Sequence, residues 1–487
     1  MSFYSSFIKK TFFYSFLQIL PALAGILILK FYSSLLTKEE FAVLAILTTV
    51  SNLSFIINSL CFDQVIARFY FDYFHDRKKL DDFLLSVIAV MCVLLAFLSL
   101  GSLLIPESLN NYLFKGSIEN FRLQFLAAVL IGFGLSLSKS LLSFYRNDQS
   151  HLKVFYLTFI IFLLQIFFVW IGLKYMGNKV LGAQIGKFAG VFIPAIIFLS
   201  AYFFNRKSKI RLDLIKETIP FFMPLVLYSL MYWGVTQFDQ VIFQLRLKNL
   251  ELLAFYVMGF NIALFADLIL NGLSSFMIPE MNLIMKIQSN KSQLSNYIHL
   301  YVLIGCFSLL LISFAGEFLV DFFLDDKYSS IGWIINGLLI GYIGRMLYSI
   351  FSFPVYYFKK TMILVYVLSF SLVLNLTGNW LLIPLLGIPA LILSSILARL
   401  IQAFLTAYWA KKILIIPFNR FKIYGLTFTF GFLLLIMMLV DYFSLINYYL
   451  ASLIMFVIAL ISSLLLFRKQ LPILVDVLKH KIGFIRR

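Results

Sequence analysis

Asn205–Pro224, NRKSKIRLDLIKETIPFFMP, is the most basic loop between the apolar segments of this chain, with Arg206, Lys207, Lys209, Arg211 and Lys216. Six long apolar segments precede it, and Pro220 and Pro224 lead into a second series. A basic run between two hydrophobic halves reads as a linker on the cytoplasmic side of a membrane, where loops concentrate lysine and arginine.

Composition agrees. The 487 residues are 62% hydrophobic and only 13% charged, against roughly 25% charge in a soluble domain. Such a chain cannot cover its surface with polar groups, so lipid is its solvent. The load of 56 phenylalanines and 26 tyrosines suits lipid contact and interfacial anchoring. The net charge of +18 lies on loops, which points to anionic headgroups rather than nucleic acid. Cys61, Cys92 and Cys306 form no CxxC pattern, and no disulfide or metal site is expected. His75, His151, His299 and His480 are scattered at segment ends and read as solvated. Lys9 and Lys10 precede an apolar run too long for a cleaved leader, so it reads as a first transmembrane helix.

A crossing needs about 20 apolar residues. By that measure the chain holds fourteen spans. The first six are 11–36, 41–64, 83–105, 121–144, 154–174 and 182–203. The next six are 218–243, 253–277, 297–320, 332–353, 361–383 and 388–410, followed by 422–441 and 446–467. The fold class is therefore an all-α polytopic membrane protein. Its expected divisions are 1–204, 205–415 (linker and second lobe) and 416–487 (two further helices and a basic tail). With the N-terminus inside, alternation puts 27 basic residues on cytoplasmic segments and 8 outside, a clear positive-inside bias. One span more or fewer would invert every later loop. The residues after Phe467 read as a short helix on the cytoplasmic leaflet. Phe41–Leu44 and Leu253–Tyr256 pair at an offset of 212, as duplication of a six-helix unit requires. Two such parallel repeats would place a cavity between them.

Charges inside spans are the informative exceptions, since one at mid-bilayer costs about 2.5–3.5 kcal/mol even on insertion scales. The basic ones are Lys30, Lys139, Lys187, Arg345 and Arg399. Arg399, in SSILARLIQAF with Ser394, Ser395 and Gln402 nearby, lies too deep to snorkel; it is a cavity cation or half of a structural ion pair. Arg345, in GYIGRMLYSIF, is either a cavity cation or part of a close helix contact allowed by Gly341 and Gly344. Lys30, Lys139 and Lys187 could reach an interface or line the same cavity. Asp267, in NIALFADLILNG, is the deepest acid: a partner for a cavity arginine, a carboxylate for a coupling proton or cation, or a buried helix–helix hydrogen bond. Asp63, Asp239, Glu317 and Asp441 lie near span ends, where a solvated charge is the default. Asp81-Asp82 and Asp325-Asp326 read as solvated loop charges. Pro21, Pro194 and Pro224 are bend candidates. A cationic cavity suits an anionic headgroup such as a phosphate or pyrophosphate, which arginine holds by two parallel hydrogen bonds.

The 6 + 6 + 2 layout, the lead-in TKEEFAVLAIL and exit CFDQVIARFYF of span 2, IPFFMPLVLYSLMYWGVTQFDQVIF at span 7 and LLAFYVMGFNIALF at span 8 resemble the polysaccharide-biosynthesis transporters. These are the O-antigen (Wzx-type) flippases of the multidrug/oligosaccharidyl-lipid/polysaccharide (MOP) exporter superfamily. Ala42 stands where members often have glycine. The resemblance implies a V-shaped, alternating-access transporter of the bacterial inner membrane, with both termini cytoplasmic, that is not an enzyme and holds no cofactor. It would move undecaprenyl-pyrophosphate-linked oligosaccharide to the periplasmic leaflet. Arg399, Arg345, Lys139, Lys187 and Lys30 would receive the headgroup, and an H+ or Na+ gradient would drive transport, with Asp267 the coupling candidate. Its partners would be the lipid-linked oligosaccharide, membrane lipid and other polysaccharide-assembly membrane proteins. A multidrug or cation antiporter of the same fold would be expected to carry a carboxylate in span 1, which has none. A lipid II or teichoic precursor flippase shares the same physics. A glycan polymerase would need a larger loop than Pro106–Asn120, the largest external one.

Overall fold

The computed structural model describes residues 2–114, 116, 118–286, 291–358, 360–414, 418–443 and 447–467. All of its regular elements there are helices, as hydrocarbon demands of a chain whose backbone must satisfy itself internally. In chain order they are α1 (Ser2–Leu35), α2 (Lys38–Ser59), α3 (Phe62–Tyr73), α4 (Arg77–Leu103), α5 (Glu107–Phe114), α6 (Phe121–Asn147), α7 (His151–Tyr175), α8 (Lys179–Phe203) and α9 (Leu212–Leu247). There follow α10 (Leu250–Ala263), α11 (Phe265–Lys286), α12 (Lys291–Phe323), α13 (Gly332–Tyr357), α14 (Met362–Leu386), α15 (Ile388–Ile413), α16 (Arg420–Phe443) and α17 (Tyr448–Phe467). Thirteen helical segments among the described residues are long and apolar enough to cross a membrane, and α1 adds the shorter apolar run Leu20–Leu35. The expected tail helix and His480 lie outside the described residues.

By packing, the chain divides into two units, one from Lys9 to Ala254 and the other from Phe255 onward together with the first turns of α1 up to Ile8. The packing boundary lies within α10. Trp233 Nε1 of α9 donates to the Thr49 carbonyl of α2 (3.1 Å). Asn52 donates to Gln237 (2.9 Å), and the Tyr73 hydroxyl of α3 donates to Glu217 (2.8 Å). These bonds tie α9 to α2 and α3 within the first unit.

Three helices depart from their expected outlines. Span 2 breaks at Leu60 and Cys61, both left-handed (φ 41° and 55°). The apolar run passes through this break, which no composition signal marks. Beyond it, α3 buries Phe62, Val65, Ile66, Tyr70 and Tyr73, the one-faced spacing of a helix laid against a core. Span 8 likewise divides into α10 and α11 at Leu264. Span 7 begins early, at Leu212, which carries Pro220 and Pro224 into the interior of α9. Spans 11 and 12, separated in sequence only by IPLLG, are two helices joined at Gly387, whose φ of +66° favours glycine. In the first unit α7 and α8 run against each other through Gly172, Gly182, Gly186 and Gly190, each with a neighbouring backbone where a β-carbon would sit.

The linker is docked rather than loose. Arg206 donates to both oxygens of Asp81 (2.9 and 2.8 Å), which also accepts from the Tyr202 hydroxyl. The Lys209 amide donates to Asp82 (2.7 Å) and the Arg211 amide to Ser86 (2.7 Å). Asp81 and Asp82 are therefore buried, not solvated. The physical reason is that α4 starts at Arg77, which turns both acids onto a helix face covered by the linker. Burial is the largest influence on Arg206 and works against its charge, but the bond to Asp81 together with the attraction of Tyr202 and Asp81 raises its pKa on balance. His299 is also buried, within reach of Ser295 (3.3 Å), contrary to the solvated reading.

In the second unit a buried polar knot joins three helices. Ser313 of α12 donates to Asn336 of α13 (2.5 Å), and the Tyr448 hydroxyl of α17 sits 2.8 Å from Ser313 and 3.0 Å from Asn336.

Asp148, just past α6, accepts from Tyr70 (2.8 Å), Arg77 (2.9 Å) and Ser150 (2.8 Å). Burial opposes its ionisation, but the bonds from Tyr70, Ser150 and Arg77 outweigh that and hold its carboxyl below the ordinary value. A depressed carboxyl stabilises fully above its unfolded pKa of about 3.9 and loses that contribution as pH falls through the folded value. Asp148→Asn should therefore cost about 1–3 kcal/mol. In thermal unfolding the deficit should be constant from about pH 5 to pH 8 and close only below about pH 4.

Candidate functional site

The break at Leu264 decides where the chemistry sits. Because α11 restarts at Phe265, Asp267 falls in its first turn, where the helix N-terminus favours a carboxylate. Facing it, α13 presents Tyr342, Arg345 and Ser349 on successive turns. Arg345 Nε lies 3.5 Å from Asp267 Oδ1. Its Nη2 donates to Asn271 (3.1 Å) and its Nη1 to Ser349 (2.9 Å). The Tyr342 hydroxyl reaches Asp267 Oδ2 at 3.4 Å. The Arg399 guanidinium of α15 lies over the Tyr342 ring, 4.1 Å from its centre, a close cation–π stack.

Tyr342 thus serves both arginines: its ring receives Arg399, and its hydroxyl meets the acid that pairs with Arg345. Glycine makes room for this. A β-carbon on Gly344 would lie 2.8 Å from the Arg399 carbonyl carbon, and one on Gly341 3.4 Å from its side chain. The charge reading and the close-packing reading of GYIGR are therefore both realised. The arginines differ in access. Arg399 is 9% exposed, whereas the Arg345 side chain keeps 19% of its surface at the edge of the cluster.

Arg345, Arg399 and Asp267, chosen from sequence, thus meet in one cluster of the second unit. Lys30, Lys139 and Lys187 lie on α1, α6 and α8 of the other unit. The Lys139 ammonium sits 4.6 Å over the Phe55 ring on an exposed face, and Lys30 and Lys187 are half-buried. Glu317 and Asp239 are buried, which corrects their reading as solvated span-end charges. Their helices, α12 and α9, outrun the apolar windows, so these residues have a further turn of packed neighbours.

Neutral polar residues escaped the sequence reading. Asn375 and Asn379 of α14 are fully buried and bonded to each other (3.1 Å), near Ser394 of α15 across Gly378. The signal was there, since two asparagines one turn apart within an apolar span need partners. An apolar cavity of about 340 Å³ lies among α12, α16 and α17, lined by Leu310, Phe314, Met437, Leu453 and Phe456. No group of three or more His, Cys, Asp and Glu among the described residues is arranged to hold a metal.

No protein-family model matches the chain, and no curated protein matches it in sequence. Solved structures do match. The lipid II flippase MurJ, in an inward closed conformation, superposes with a TM-score of 0.72 at 15% identity, covering 95% of this chain and 100% of that one. An inward-facing multidrug-resistance MATE transporter of the MOP superfamily superposes with a TM-score of 0.63 at 12% identity, covering 81% of this chain and 94% of that one. The fold is that of the MOP exporters. At these identities the likeness extends to architecture, and the site rests on its own geometry.

That geometry predicts an asymmetry. Asp267→Asn alone leaves the Arg345 guanidinium in a confined place without its carboxylate, at a cost of about 1–3 kcal/mol. Asp267→Asn with Arg345→Gln removes both charges and should recover part of that loss. A double-mutant cycle on thermal unfolding measures the coupling, and strict additivity would contradict the pairing.

Proposed function

We propose that this chain is a flippase that moves an undecaprenyl-pyrophosphate-linked oligosaccharide, an O-antigen or other surface-polysaccharide repeat unit, from the cytoplasmic to the periplasmic leaflet by alternating access. The observation that carries the reading is the cluster of Arg345 and Arg399 about Tyr342 and Asp267. A pyrophosphate is the anion a planar guanidinium holds best, by paired hydrogen bonds. Arg345, the more accessible of the two, meets the headgroup, and Arg399 fixes the Tyr342 ring behind it. Lys30, Lys139 and Lys187 are further candidates for headgroup contact, and the polyprenyl chain stays in lipid. Support also comes from the fold shared with a structure described as a lipid II flippase.

Asp267 competes with the headgroup for Arg345. Neutralising it, by a proton or by Na+ from the coupling gradient, would release the arginine for substrate. The protein would lie in the bacterial inner membrane, its basic linker on the cytoplasmic side with both termini, working beside other polysaccharide-assembly proteins. Drug-cation export is the weaker reading, because two guanidiniums repel a cation.

The test is the sidedness of lipid-linked oligosaccharide. In cells lacking the protein, a glycan-labelling reagent that cannot cross membranes should label accumulated repeat units only in inside-out vesicles. Arg345→Ala and Arg399→Ala, inserted at normal levels, should reproduce that stranding. Repeat units on the periplasmic face of the deletion strain would overturn the flippase reading. Normal glycan display by both variants would remove the cluster from it.

A further inference from the structure

The first turn of α13 holds a second ionisable site, away from the arginines. Glu317 of α12 and Asp441 of α16 converge on Gly332, the first residue of α13. A β-carbon there would overlap Glu317 Oε2 and lie 2.7 Å from Asp441 Oδ2. Only glycine leaves the two carboxylates this room. Glu317 is 5% exposed, and its Oε2 has no hydrogen-bond partner; neither has Asp441 Oδ2.

Among the described residues, the groups that face the pair bring no cation to it. Asp321 lies one turn further along α12 and takes the Tyr449 hydroxyl of α17 (2.7 Å). The Tyr448 hydroxyl is engaged by Ser313 and Asn336. Tyr442, next to Asp441, packs on the Trp333 ring (5.3 Å between centres), and Lys327 of the adjoining turn lies over Tyr328 (5.6 Å). The first turn of α13, Gly332 to Ile335, offers its backbone amides and no titratable side chain.

Two carboxylate oxygens this close, one of them buried and unbonded, cannot both carry a full negative charge at small cost. A hard metal ion would need six or more oxygen ligands, and a proton needs two. We propose that Glu317 and Asp441 form a proton-binding pair that takes up and releases one proton between their facing oxygens. Release leaves two like charges against the amides of α13, the helix that also carries Tyr342 and Arg345. The proton is bound whether or not the chain is a flippase.

The test reads the proton directly. The full chain in lipid nanodiscs is titrated while the infrared C=O stretch of protonated carboxyl groups is recorded. A band should fall as pH rises and be absent from Glu317→Gln. In Asp441→Asn the pH of half-loss should move down by at least one unit, a tenfold change in proton concentration, because the like charge is gone. If Glu317→Gln does not fold, the wild-type band and the Asp441→Asn shift decide. A wild-type protein with no titrating band, a band unchanged in Glu317→Gln, or an unshifted midpoint in Asp441→Asn would each overturn the pair. Loss of the band on adding sodium at fixed pH would overturn the proton and assign the pair to that cation.

Discussion

Hydrocarbon has no hydrogen-bond partner to give, and the internal organisation of this protein follows from that constraint. Each polar side chain carried into a span must find a partner on another helix or remain costly. The indole of Trp233 finds a carbonyl of α2, and Tyr448 finds Ser313 and Asn336. These bonds are few, but each fixes two helices at one register. In water the same pairs would add about 1 kcal/mol each. In a span the alternative to pairing is an unsatisfied group in lipid, so the pairs specify which helices touch.

α13 shows the consequence most fully. It is buried along almost its whole length, with apolar side chains on most faces, and it carries three of the second unit's polar contacts in order. Gly332 meets the carboxylate pair, Asn336 the tyrosine knot, Tyr342 and Arg345 the arginine cluster. A helix surrounded by others can carry such groups only if its neighbours approach closely, which is the service of Gly341 and Gly344. Ten residues of helix, about 15 Å, separate Gly332 from Tyr342. The carboxylate pair and the arginine cluster thus meet one helix, the first at its start and the second near its middle.

Much of this was legible in the chain. Apolar run length located the crossings, because a bilayer sets that length and little else competes. Arg345, Arg399 and Asp267 stood out because a charge in an apolar run is rare. What could not be read were pairings across long separations. Asp81 finds Arg206 over 125 residues, and nothing local distinguishes it from a solvated loop acid. The breaks at Leu60–Cys61 and Leu264 were equally silent, since both sides of each are apolar and the turn is made by residues with no turn preference. Asn375 and Asn379 were passed over because they carry no charge, although an amide in lipid needs a partner as surely as an ion does.

The linker shows how one set of residues can satisfy two constraints. Its basic charge agrees with the positive-inside pattern, which depends on numbers and not on geometry. The same Arg206 also meets Asp81, its single nitrogen Nη1 donating to both carboxylate oxygens, a contact that depends on geometry alone. Lysine in its place would keep the charge and lose the planar guanidinium stack on the Tyr202 ring, 4.1 Å from its centre. The Lys209 and Arg211 amides hold the linker to α4, and the Arg211 side chain pairs separately with Asp213, its Nη2 donating at 2.6 Å. Within one basic run, therefore, Arg206 and Arg211 each have a carboxylate partner for the side chain, while Lys209 is anchored through its backbone.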